Sequence, residues 1–195
     1  MIETDRRVMT GVCSVLKSSE EKNVAMTFRT CGPEDVLEVA TIGRETYRQT
    51  FEGHYDADVM AKYLDHAFHP DTVANELGHP QSDFWLLETK GHVAGYLKMN
   101  RGLAQTEPQE EGGIEIERIY LLQQFQGQGF GRALFDKAMG FARASNSRFV
   151  WLGVWENNYR ALEFYRSMGF EITGTHDFRM GEVVDTDYIM RLTLS

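Results

Sequence analysis

Cysteine is scarce in this chain of 195 residues: Cys13 and Cys31 are its only two, and they form no Cys-x-x-Cys pair. That excludes a disulfide framework, and reduced thiols in a cytosolic protein are the simplest account. Long apolar runs are missing too, so nothing spans a bilayer as a helix. Residues 8–16 (VMTGVCSVL) follow Arg6 and Arg7, but the run is short, broken by Thr10, Gly11 and Ser14, and preceded by Glu3 and Asp5. It is not a signal peptide, and the chain reads as cytoplasmic. Positive charge is also in deficit. The formal net charge is -9, which argues against nucleic acid as a partner, because phosphate binding needs a basic footprint. An acidic balance suits a cationic substrate, and suits solubility equally well. What is present is an ordinary globular mixture, 42% hydrophobic and 25% charged, long enough to bury a core in one domain.

Residues 1–23 show no sustained period and end in a polar stretch, Lys17 to Asn23, which predicts a loose N-terminal extension. A domain is expected over 24–195. Its first strand falls at 25–29 (AMTFR). Pro33 with Glu34 and Asp35 opens a helix carrying Leu37, Ala40, Tyr47 and Phe51 at near-helical spacing. Helices and loops punctuated by Pro70 and Pro80 fill 52–82. Phe84–Leu87 and Val93–Leu97 read as strands around a Lys90-Gly91 turn, and the polar stretch from Arg101 to Gly113 as a loop. Residues 114–122 (IEIERIYLL) form the clearest strand. A helix follows from about Gly131, with Leu134, Ala138 and Phe141 on one stripe. After a strand at 148–154, a second helix runs from Asn158 to Met168 with Ala161, Phe164, Tyr165 and Met168 inward. Gly169 and Phe170 supply its left-handed cap and hydrophobic contact. Two strands near 171–179 and 183–193 close the chain. The strand–helix–strand unit implies a parallel pair with a right-handed crossover, and hairpins elsewhere imply antiparallel neighbours. The fold class is α/β, one mixed sheet flanked by helices.

The chemistry concentrates in Gln126-Gly127-Gln128-Gly129-Phe130-Gly131-Arg132, between a strand and a helix. Glycines there let backbone N–H groups approach an anion, the helix N-terminus adds unsatisfied donors, and Arg132 adds a charge suited to phosphate. A tight turn packing helix on sheet is the plainer use of the same glycines. The loop is not a dinucleotide fingerprint, since position 132 holds Arg where the final glycine belongs. It is not a P-loop either, since neither Gly129 nor Gly131 is followed by Lys. What remains is Gln-x-x-Gly-x-Gly.

That pattern, preceded by Ile119-Tyr120-Leu121, resembles the acetyl-CoA signature of the GNAT superfamily of N-acetyltransferases. Asn158-x-x-Ala161-x-x-Phe164-Tyr165-x-x-x-Gly169-Phe170 resembles the second CoA motif of that family. The strings IERIYLLQQFQGQGFG and WLGVWENNYRALEFYRSMGF, with the tail from His176 to Asp187, are similar to the branch that includes bacterial spermidine/spermine acetyltransferases. The resemblance implies the GNAT fold, with the parallel strands 114–122 and 148–154 splayed apart. It implies acetyl-CoA as co-substrate, with no metal, and a small-molecule amine, preferably a polyamine, as acceptor. A protein N-terminus, an aminoglycoside-type amine, or a non-catalytic sensor of CoA are the alternatives. Many GNAT proteins pair through strands or helices, so a homodimer fits the resemblance.

By the same resemblance, pantetheine lies along Ile119, Tyr120 and Leu121, and the pyrophosphate meets the backbone from Gln126 to Arg132. Asn158, with Ala161 after it, contacts the pantetheine arm, although a residue opening a helix also serves as its N-cap. Tyr165 matches the general acid that protonates the departing thiolate; on spacing alone it reads as a core tyrosine. An ammonium substrate, with a pKa near 10, also needs a base. Glu115 and Glu117 alternate onto one face of the key strand, together with Ile119 and Leu121, and apolar neighbours raise a carboxyl pKa. Glu115 aligns with the base of histone acetyltransferases. Other branches take the base from the second parallel strand, where this chain has Gly153, so Glu115 and Glu117 both stand, unless both are solvent-facing. Strand N–H groups are suited to stabilising the oxyanion of direct attack, and Cys13 and Cys31 lie outside both motifs. His66 and His69, three apart, are too few ligands for a metal. Trp151 reads as core and Trp155 as cavity wall. Glu52, Asp56, Asp58, Asp185 and Asp187 are acids suited to holding a polyamine, or simply a solvated surface.

Overall fold

The computed structural model describes residues 25–194; the extension expected over 1–23, and Cys13 with it, lies outside the described residues. The sheet has seven strands: β1 (Met26–Thr30), β2 (Ser82–Thr89), β3 (His92–Arg101), β4 (Gly113–Leu121), β5 (Phe149–Trp155), β6 (Glu171–Met180) and β7 (Val183–Thr193), in the order β1-β2-β3-β4-β5-β7-β6. Every pairing is antiparallel except β4–β5. Among the described residues five α-helices complete it: α1 (Val36–Phe51), α2 (Ala57–Ala67), α3 (Pro70–Leu77), α4 (Phe130–Ala144) and α5 (Tyr159–Ser167). α4 is the crossover between the two parallel strands.

The two faces of the sheet have separate cores. On one, Leu134, Phe135, Ala138 and Ala142 of α4 and Leu162 of α5 pack on Trp85, Leu97, Ile114, Ile116, Val150 and Leu152. On the other, Val39, Ala40 and Ile42 of α1 and Val73 of α3 pack on Phe84, Leu86 and Tyr96. Strand β2 feeds both, which is why its Phe84-Trp-Leu-Leu87 run is apolar without alternation. A third cluster joins Tyr47 and Phe51 of α1 to Met60, Leu64 and Phe68, with Met180 of β6.

Leu37 departs from expectation: it is 70% exposed. The helix proper starts at Val36 after a 3-10 turn over Pro33–Asp35, and the phase this sets turns Val39, Ala40, Gly43 and Tyr47 inward instead. The cap of α5 is as expected. Gly169 has φ 92°, the amides of Phe170 and Gly169 donate to the carbonyls of Tyr165 and Arg166 at 3.0 Å each, and the Phe170 and Tyr165 rings sit 5.6 Å apart. These are the two bonds and the apolar contact of a Schellman ending. They fix Tyr165 at the base of the site.

Candidate active site

Only three residue pairs join β4 to β5: Gly113–Phe149, Ile114–Val150 and Glu115–Trp151. Beyond Glu115 the parallel strands part. A bulge on the other side of β4 contributes to this. Lys98 of β3 faces Arg118 while Met99 faces Ile116, so Glu117 is an extra residue, and such bulges bend a strand and raise its twist. The insertion also shifts the alternation of β4. Ile119 and Leu121 return to the α4 side with Ile114 and Ile116, whereas Glu115, Glu117 and Arg118 face the α1 side. The expectation that the two glutamates share their face with Ile119 and Leu121 is therefore corrected, because strict alternation cannot foresee an extra residue.

Two cavities open from the splay. One, of about 430 Å³, is lined by Ile119, Tyr120 and Leu121 of β4, Gln126, Gly127 and Gly131 of the glycine loop, and Asn158, Arg160, Ala161, Phe164 and Tyr165. The other, of about 410 Å³, is lined by Glu115, Glu117 and Arg118 of β4, Gly153 and Trp155 of β5, the aromatic rings of Tyr47, Phe51, Tyr55, Tyr63 and Phe178, and His176 and Asp187. Ile119, Tyr120, Asn158, Ala161 and Tyr165 line both. The cavities meet where the strands part.

The first cavity ends at a helix N-terminus. Gly129 is the N-cap of α4 with φ 87°, and Gly127 has φ 73°. Left-handed backbone of this kind favours glycine. A Cβ at either position would meet nothing within 4 Å, so the backbone stands open on that side. Among the described residues, no turn or loop hydrogen bond uses the amides of 127–132, and the opening turn of a helix leaves its amides without intrahelical acceptors. Such a cradle fits a pyrophosphate. Not every side chain named from the sequence takes part. Phe130 is buried in the core, so only its backbone is available. Arg132 pairs with Asp136 at 2.9 Å, and Gln128 donates to the Gln124 carbonyl at 2.8 Å; neither lines the cavity. Arg160, which sequence reasoning missed, does line it, donating to Gln126 Oε1 at 2.7 Å. Asn158 is the N-cap of α5, accepting from the Ala161 amide at 3.2 Å, and faces both cavities as well.

The second cavity is acidic. Glu115, 2% exposed, accepts from the Thr106 amide at 2.9 Å, the Thr106 hydroxyl, and Asn100 Nδ2 at 3.1 Å. Burial raises its pKa, the Thr106 and Asn100 bonds oppose that, and the nearby Glu117 charge adds to the rise. Glu117 lies 2.6 Å from Lys98 Nζ and 3.1 Å from Arg118, and Asn100 also donates to it. Burial alone would raise its pKa too, but Arg118 and Lys98 outweigh burial and hold it below the ordinary value. Neither glutamate is a solvent-facing edge residue. Tyr165, 7% exposed, has its phenol pKa raised by burial. Asp187, half-buried on β7, is pushed up to about 6, by burial first and by Asp185 and Glu156 in addition, with His176 opposing.

The other candidates separate cleanly. Trp151 is fully buried, its indole N–H donating to Gln105 Oε1 at 2.6 Å, and Trp155 is cavity wall. Glu52, Asp56 and Asp58 are exposed and line neither cavity, whereas Asp185 accepts from the Tyr55 hydroxyl at 2.6 Å. His69 is the N-cap of α3, accepting from the Asp71 amide at 3.2 Å. Among the described residues no group of three or more His, Cys, Asp or Glu is placed to hold a metal, and no helix is long and apolar enough to cross a membrane.

A splayed parallel pair, a glycine-capped helix after the first strand and a bulge within it define an acyl-transfer fold. The chain belongs to the acetyltransferase (GNAT) family, whose model matches residues 43–170, and it is an N-acetyltransferase. It is 38% identical over 161 residues to an uncharacterized N-acetyltransferase of Lactobacillus delbrueckii subsp. lactis, covering 83% of this chain and 93% of that one. It is 30% identical over 127 residues to the N-acetylaspartate synthetase of Homo sapiens, covering 64% of this chain but only 40% of the other. The crystal structure of the PaiA N-acetyltransferase of Thermoplasma acidophilum, in complex with coenzyme A, superposes with a TM-score of 0.72 at 18% identity, over 87% of this chain and 99% of that one.

Proposed function

We propose that residues 24–195 form an acetyl-CoA-dependent N-acetyltransferase domain that acetylates a primary amine, with a polyamine such as spermidine or spermine as its substrate. The observation that carries this reading is the confluence of the two cavities at Tyr165. One has the anion cradle that a pyrophosphate requires; the other has carboxylates and aromatic faces that suit an ammonium. When bound, acetyl-CoA supplies an acetyl group activated as a thioester.

The residues divide the remaining work. The cradle from Gln126 to Arg132 orients the donor through backbone amides, and Asn158 and Ala161 flank its arm. The arriving amine has to lose a proton before its nitrogen can attack the carbonyl carbon. Glu115 takes it: its raised pKa suits a base, whereas Glu117 is held as an ion-pair partner of Lys98 and Arg118. As the carbon–sulfur bond breaks, Tyr165 protonates the thiolate. Burial keeps its phenol protonated and ready to donate.

The polyamine reading also rests on the likeness of the two motif strings to that branch. The N-acetylaspartate synthetase makes a dicarboxylate product, but here the one guanidinium lining the acceptor cavity, Arg118, is already held by Glu76 at 2.7 Å and by Glu117. A doubly anionic acceptor would meet carboxylates with no free lysine or arginine to offset them among the described residues.

The test is CoA release from acetyl-CoA across spermidine, spermine, putrescine, an aminoglycoside, an N-terminal peptide and aspartate. Strong release with spermidine or spermine alone is expected. Release with aspartate or the peptide would replace the substrate, and acetyl-CoA binding without any release would favour a sensor.

A further inference from the structure

Of the five acids that the sequence offers for holding a cation, only Asp187 lines the acceptor cavity. Three neighbouring strands bring its surroundings together in one row: Trp155 of β5 faces Asp187 of β7, which faces His176 of β6. The carboxylate retains 18% of its side-chain exposure and opens into the acceptor cavity. Gly153 keeps that opening clear, since a Cβ there would stand 3.2 Å from His176 Cε1 and 3.8 Å from Asp187 Oδ2.

Among the described residues no lysine or arginine pairs with Asp187. The cation facing it is His176, when protonated, whose Nε2 is 3.7 Å away. The far nitrogen of that ring, Nδ1, stands 3.0 Å from Glu107 without hydrogen-bond alignment. Asp185 on the same strand and Glu156 after β5 add negative charge. The walls beside it are aromatic: the Phe51 and Trp155 rings lie 6.1 Å apart, edge to face, and the His54 ring also meets Trp155 edge to face at 4.8 Å. A desolvated carboxylate beside open aromatic faces is a receptor for an alkylammonium group.

We infer that Asp187 is the anchor for the substrate's ammonium, a positioning residue that binds the cationic acceptor against Trp155 before any proton is removed, with His176 as the internal cation that competes for it. The inference rests on the reading of the acceptor as an amine. It separates two tasks: Asp187 holds the incoming cation, and Glu115 deprotonates it. The anchor is present only while Asp187 is ionised, so it weakens as pH falls through about 6.

Two measurements test this on the full chain. In steady-state assays, Asp187→Asn should raise KM for the amine about 10- to 100-fold, the scale of a hydrogen bond to a charged group. Its kcat should stay within a few-fold, with KM for acetyl-CoA unchanged. The rise of KM in the wild type below about pH 6 should disappear in the variant. An unchanged KM, or a collapse of kcat alone, would overturn the anchor. The second measurement needs no turnover. Tetramethylammonium, which cannot be acetylated, should show saturation transfer from the wild-type protein in ligand-observed NMR, and that signal should fall at least tenfold in Asp187→Asn. Equal signals in the two proteins would sink the anchor even if amines are acetylated. A signal lost in Asp187→Asn would uphold the anchor even if no amine in the panel were turned over, so failure of the wider reading is told apart.

Discussion

At the scale of single residues, the site sorts its acids by environment. Glu115 and Glu117 are two residues apart, yet burial raises the pKa of one while Lys98 and Arg118 lower that of the other. Exchanging each for glutamine should therefore give different phenotypes. Glu115→Gln should lower kcat by about 10²-fold or more with little change in melting temperature, and should remove the acidic limb of the kcat–pH profile, which lies above the ordinary glutamate range. Glu117→Gln should instead lower stability, by up to about 3 kcal/mol in a denaturant titration, because it removes one of the two carboxylates that hold the buried Lys98 and Arg118 and leaves Glu76 alone to pair both. Tyr165→Phe should cut kcat while leaving acetyl-CoA affinity in calorimetry unchanged; full turnover would remove it from the mechanism. Asp187 has a cost that runs the other way. Folding raises its pKa from 3.8 to about 6, so the stability tied to its protonated form is complete below 3.8 and is lost as pH rises through about 6. Asp187→Asn should thus melt higher than the wild type at pH 7 to 8, and the difference should vanish as pH drops toward 3. A binding group held at the expense of stability is the usual trade at a working site.

At the scale of elements, the glycine loop and α5 were the most legible, because their signals are local. Left-handed glycines, an Asn N-cap and a Gly–Phe ending are each decided within a few residues, and the structure has all of them. Gly129→Val tests the loop directly: a β-branched residue at φ 87° strains the start of α4 by about 1–2 kcal/mol and covers the cradle. Acetyl-CoA affinity should fall more than tenfold by calorimetry while far-UV circular dichroism stays the same. The phase of β4 was less legible. The pattern IEIERIYLL reads as plain alternation, and only the pairing with β3 shows that Glu117 is inserted. Leu37 illustrates the same limit, since its spacing suits the stripe but the true start of α1 turns it outward.

At the scale of the whole molecule, the acceptor cavity was nearly invisible in the sequence. Its walls come from α1, the loop after it, α2, the loop before β4, β4, β5, α5, β6 and β7, and no local period joins Tyr47 to Phe178 or Glu115 to Asp187. Five acids were candidates for holding a cation; tertiary packing leaves Glu52, Asp56 and Asp58 outside and puts Asp187 within. The parallel β4–β5 pair and the antiparallel hairpins were readable from the crossover rule and the turns, whereas the place of β7 between β5 and β6 was not. The distribution of charge across the cavity was not, because it depends on which carboxylates find a cation.

The short β4–β5 pairing has a consequence for the life of the protein. Past Glu115 two central strands run side by side without bonding to each other, so the middle of the sheet is an unfinished seam. A donor molecule lying in that seam would complete it. Occupancy at a hundred times Kd would add about 2.7 kcal/mol to stability, a rise of roughly 5–10 °C in melting temperature for a chain of this size, and differential scanning fluorimetry with acetyl-CoA would read it. In a cell, where proteases sample opened molecules, the enzyme would persist longer when coenzyme A and its thioesters are plentiful and be cleared sooner when they run short. The coenzyme supply would then set the amount of catalyst as well as the rate of each molecule.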